Sequence, residues 1–178
     1  KEEYLPLKVI KERLLGTKKK IEKKVAIIVD GFASCLSGVG NENIYTVPIP
    51  ICLEGKEILD ERLLEKKIKK QQQETGQEYP QLKALTEKNI SSVVDLCIKR
   101  KYDDIYIFLS HTEYTLFTEN EKRKLINKSK NKHNIHIIET NTIGSGVSVF
   151  VQEFLQLNPG TCTEKEINIF MNKQCPLI

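Results

Sequence analysis

Two apolar runs of strand length limit what this chain can become. Val25-Ala26-Ile27-Ile28-Val29 holds no polar residue and stops at Asp30-Gly31. Ile105-Tyr106-Ile107-Phe108-Leu109 behaves the same way and stops at Ser110-His111-Thr112. A strand with one face in water alternates polar and apolar residues, so an unbroken run marks a strand covered on both faces. Ile135 to Ile138 is a third strand candidate, ending at Glu139-Thr140-Asn141.

Helical patterns fill the intervals. Asp60 caps a charged helix reaching Gln73, and Leu82 to Arg100 reads as one helix with Val94, Cys97 and Ile98 along a single apolar stripe. Thr118 caps a helix over 119–130. Gly144-Ser145-Gly146 opens another, which Asn158-Pro159-Gly160 stops. Thr163 to Asn172 is the last, with a capping box in Thr163-Glu164-Lys165-Glu166. Ile44 to Cys52 is rich in β-formers, but Pro48 and Pro50 bar a regular central strand. Residues 31–43 and 74–80 read as loops. This alternation predicts an α/β fold: a Rossmann-like, mainly parallel sheet with helices on both faces, in which 25–29, 105–109 and 135–138 are parallel neighbours. Ligands of such sheets bind beyond the carboxyl ends of the strands. Asp30, Ser110-His111 and Glu139 to Asn141 would meet there.

The length of 178 residues suits one domain. The net charge of +4 is unevenly placed: residues 1–24, read as a short helix and basic linker, carry +5, and the remainder carries −1. Lys outnumbers Arg 24 to 4, whereas base and phosphate readout favours the Arg fork. No nucleic-acid partner is expected. The five cysteines, at 35, 52, 97, 162 and 175, form no CxxC pair and match no zinc spacing. His133 and His136 would fall on opposite faces of a strand, so no metal site is expected. No apolar run reaches the roughly 18 residues of a membrane helix, and the opening is charged. A soluble, cytoplasmic chain with no integral membrane segment is the expectation.

No catalytic signature stands out. A nucleotide-binding glycine loop in its strand-then-helix context is absent, as are a phosphate loop and a nucleophile elbow. Ser110 and His111 read as a hydrogen-bonding loop pair. Asp30 could cap the turn after its strand or position a ligand. Gly144-Ser145-Gly146 could offer free amides to an anion or permit close helix packing.

A run of short matches adds to this reading. Val25 to Asp30 with Gly31-Phe32, then Ile44 to Ile51, Gly55 and Asp60, follow one another in order. Thr75-Gly76-Gln77-Glu78, Lys101 to Asp104 before Ile105, Ser110 to Phe117, Ile137 to Thr140 and Gly144 to Gly146 continue it. Over 25–173 this order resembles the first domain of the DegV family, bacterial fatty-acid-binding proteins that present acyl chains to a fatty acid kinase. The family's Ser-Gly-Thr stands here as Tyr114-Thr115-Leu116, and its Thr-Ser as Thr75-Gly76.

The resemblance implies a carrier of a long-chain fatty acid with no catalytic residue, cofactor or metal. It implies carboxylate contacts from Thr75, Ser110, Tyr114 and Thr115, and secondary anion contacts from Asp30, Gly144, Ser145 and Gly146. Residues 174–178 would open the family's second domain. The alternative is an interaction or regulatory domain that kept the fold without the lipid. Tyr114 could donate its phenol to the ligand or fill the slot with its ring.

Overall fold

The computed structural model describes residues 22–33, 42–53, 55–58, 66–70, 79–129 and 134–174. The expected N-terminal helix, the Asp60 cap and Thr75 lie outside the described residues, as do His133 and residues 175–178.

Both unbroken apolar runs are strands: β1 spans Val25–Asp30 and β6 spans Asp104–Leu109. Between them come β2 (Ile44–Val47), β3 (Ile51–Leu53), β4 (Lys56–Ile58), β5 (Gln81–Leu82) and helix α1 (Glu87–Lys99). After β6 follow the one-turn helix α2 (Thr112–Thr115), α3 (Glu119–Ser129), β7 (Asn134–Glu139), α4 (Ser145–Gln156) and α5 (Glu164–Gln174). Residues 66–70 are helical, inside the segment expected to be a helix.

The main sheet has the order β2-β1-β6-β7, with every pair parallel. The three expected neighbours are therefore adjacent and parallel. Pro48 acts as anticipated: β2 ends at Val47 and is an edge strand. A second sheet, β4-β3-β5, is antiparallel.

Helices cover both faces. Ala26, Ile28, Ile105 and Ile107 meet Ile90, Val94 and Cys97 of α1 and Leu125 of α3 on one side. On the other, Ile27, Val29, Tyr106 and Phe108 meet Val147, Val151 and Phe154 of α4 and Ile167 of α5. Adjacent strand residues point to opposite faces, and both faces are packed, which is why the runs carry no polar residue.

Two readings need correction. The helix expected from Leu82 begins at Glu87. Gln81 and Leu82 instead pair with β3, and Thr86 precedes the helix, its N–H donating to Asn89 Oδ1 at 2.8 Å. Backbone pairing and a local cap outweigh the helical tendency of the residues before them. Ile98 is also only half-buried; Val94 and Cys97 form the buried part of that stripe.

Candidate functional site at the strand ends

The order of the parallel strands reverses at β1: the next strand in the chain, β2, lies on one side and β6 with β7 on the other. In open parallel sheets, the carboxyl ends of the strands at such a reversal are where ligands bind. Asp30 ends β1 at that place, and Ser110 follows β6.

The two residues are bonded directly. Both are fully buried. Ser110 N–H donates to Asp30 Oδ2 at 2.5 Å, and Ser110 Oγ donates to Oδ1 at 2.9 Å. Phe32 N–H reaches the same Oδ1 at 3.0 Å, so Asp30 also builds the turn after its strand. Burial pushes the Asp30 carboxyl above its ordinary 3.8, and the donors from Ser110 and Phe32 pull it back in part.

The third strand end is laced to the second. Thr140 is buried, and both its N–H (2.9 Å) and its Oγ1 (3.0 Å) donate to Leu109 O. His111 N–H donates to Thr142 O at 2.9 Å. Thr142 also explains a glycine: a Cβ on Gly146 would stand 2.1 Å from Thr142 Oγ1, so α4 begins this close only with glycine there. Close packing is thus a shown role for Gly146. Gly144 precedes α4 with φ 65°, a conformation that favours glycine, and Ser145 is exposed at the helix start.

Other expected site residues fall in two groups. Tyr114 is 43% exposed, with its ring edge-on to Phe32 at 6.3 Å and to His111 at 6.4 Å between centroids. It lies beside the Asp30 turn, at the surface. Thr115 is buried; its Oγ1 accepts from Phe117 N–H at 3.5 Å, and its carbonyl accepts from Leu85 N–H at 2.8 Å. Ser110 and His111 serve different partners, since His111 Nδ1 accepts from Glu113 N–H at 3.3 Å. They act as a hydrogen-bonding loop pair. Thr142 was not singled out in the sequence, and Phe32 and Thr140 stood there only as members of longer runs. Thr140 lay in the polar cluster after β7, but nothing in the sequence showed that it would bond back to Leu109.

Among the described residues, no group of three or more His, Cys, Asp or Glu is placed to hold a metal ion. No helix among them is long and apolar enough to cross a membrane.

Fold and strand ends together define an α/β domain with a parallel sheet and a polar junction at the reversal of strand order. Solved structures of DegV-family proteins have this fold. A DegV lipid-binding protein from Thermotoga maritima superposes with a TM-score of 0.67 at 17% identity, over 84% of this chain and 53% of that one. A second Thermotoga maritima protein, described as revealing a fatty-acid-binding function, gives 0.66 at 17% identity over 85% and 55%. DegV from Bacillus subtilis, a fatty-acid-binding protein, gives 0.61 at 12% identity over 83% and 52%. The chain spans about half the length of the structures it matches. No protein-family model and no curated protein matches the sequence.

Proposed function

We propose that this domain binds a long-chain fatty acid, with the carboxylate at the carboxyl ends of β1 and β6. The observation that carries the reading is the Asp30–Ser110 junction at the strand-order reversal, in a fold shared with proteins described as fatty-acid-binding. Ser110 and Thr75 are the hydroxyl donors to the carboxylate. Thr115 and the Gly144-Ser145-Gly146 helix start are the further contacts of this reading. Ser110 now gives its proton to Asp30. Turning that hydroxyl to the ligand leaves the Asp30 carboxylate held by the N–H groups of Ser110 and Phe32. Tyr114, Leu116 and Ile143 are exposed apolar residues following β6 and β7, and they suit an acyl chain leaving this end. The protein then acts as a carrier that hands its acyl chain to a fatty acid kinase, where the phosphoryl chemistry takes place.

A second reading, an interaction domain without lipid, draws on Thr115, whose hydroxyl is buried and already engaged with Phe117. Titration with oleate, read by native mass spectrometry, separates the two. The expected result is one retained fatty acid per chain. Ser110→Ala should weaken binding about tenfold to a hundredfold, the effect of losing a hydrogen bond to a charged group. If the Tyr114 phenol donates, Tyr114→Phe weakens binding; if its ring blocks the slot, Tyr114→Ser strengthens it. No retention by the wild type or by either Tyr114 variant leaves the interaction domain as the reading.

A further inference from the structure

The left-handed positions of the backbone single out Leu116. Among the described residues other than glycine, Lys101, Leu116, Asn141 and Asn158 have positive φ. Asparagine tolerates this conformation, because its short polar side chain bonds locally, whereas longer side chains crowd the following carbonyl. Lys101 and Leu116 are therefore the strained pair. Lys101 holds a charged side chain in water, where it is well solvated. Leu116 leaves an apolar one there, 47% exposed, and so is unfavourable twice, in its backbone and in its hydration.

The conformation itself has a reason. Leu116 closes the one-turn helix α2 with φ 51° and ψ 27°, its N–H donating to Thr112 O at 2.7 Å. Thr115 before it and Phe117 after it are both buried, so the chain turns between two inward neighbours while residue 116 stays at the surface. All of this is done by the backbone. Glycine would make the same turn and the same hydrogen bond without either cost. The fold accounts for the left-handed turn but not for the leucine.

The leucine stands near the strand ends assigned to the carboxylate. Helix α2 follows Ser110 and His111 directly, and its Tyr114 sets its ring against Phe32 in the Asp30 turn. Thr142 O accepts from His111 N–H, which brings the loop of Ile143 to the same end. We propose that Leu116 is the apolar contact that seats the acyl chain as it leaves the carboxylate. Acyl carbons laid over the side chain remove from water the area that the fold leaves exposed. The inference rests on the fatty-acid reading and adds to it a residue kept for the ligand at the expense of the fold.

The test is a titration of the full chain with oleate, read by native mass spectrometry, beside the melting temperature without ligand. Leu116→Gly should melt at the wild-type temperature or above it, and should bind oleate about three- to tenfold more weakly, the effect of losing about half of a leucine's burial. Leu116→Asn also suits the left-handed turn and should weaken binding alike. Leu116→Met, apolar and of similar volume, should bind within about twofold of the wild type. Wild-type affinity in both Leu116→Gly and Leu116→Asn overturns the proposal and leaves the fatty-acid reading standing. A lower melting temperature in Leu116→Gly also overturns it, because the leucine then serves the fold. If the wild type retains no oleate, the fatty-acid reading fails and this inference falls with it.

Discussion

His136 lies flat on Tyr106 and pairs loosely with a buried carboxylate, which fixes how it responds to acid. Burial is the largest influence and lowers its pKa from 6.5; the Asp104 charge opposes this, and Lys23 adds to it. The folded chain thus resists a proton that the unfolded chain accepts near pH 6.5. Its contribution to stability is complete above that value and is lost as pH falls through the lower folded value. Asp30, whose pKa is raised, has the opposite sign: its contribution is complete below 3.8 and is lost as pH rises through the folded value. The His136 contribution should therefore lower the melting temperature between about pH 7 and pH 5, against the Asp30 contribution, and His136→Gln should remove that part of the slope. An equal slope in the variant would assign the effect to another group. At this scale the sequence was half legible. Asp30 and Ser110 stood out because polar residues at the ends of buried strands are conspicuous. Their bond to each other joins positions 80 residues apart, which no local pattern encodes.

Among the elements, α1 shows how an apolar stripe maps onto burial. Ile90 is fully buried, while Ile98 near the other end of the helix is half-buried. Ile90→Ala should cost about 2–5 kcal/mol, and Ile98→Ala about half of that or less, since less apolar area is lost and solvent fills the gap. Urea denaturation of the two variants measures both; equal losses would mean that the helix is rotated from the described packing. Long elements were legible because they carry full periods of their patterns. The β3–β5 sheet was not, because its strands are two or three residues long and partly exposed, too short for alternation to show. Helix α2 escaped for the same reason: four residues span barely one turn.

The whole molecule is held by its central pair of strands. Residues 26–29 and 105–109 are nearly fully buried and bonded on both sides, whereas Gln81 and Leu82 at the edge of the small sheet are exposed. Native-state hydrogen exchange should therefore show β1 and β6 opening only with global unfolding. Amides of β3 to β5 should open at least about 2 kcal/mol below that. Uniform protection across both sheets would contradict this division.

The strand order also sets a schedule for synthesis. β1 is complete long before β6, its central partner, emerges about 80 residues later. At about 5–20 residues per second, one edge of a strand that is apolar from Val25 to Val29 waits unpaired for roughly 4–16 s. Such an edge invites pairing with another nascent chain, and charges beside an apolar strand discourage it. Lys23 and Lys24 stand directly before that strand. In the finished fold, Lys23 Nζ holds Asp104 and Lys24 N–H holds the carboxylate of Asp103, at the start of the late-arriving partner. The guards of the waiting edge become the clasp that closes it.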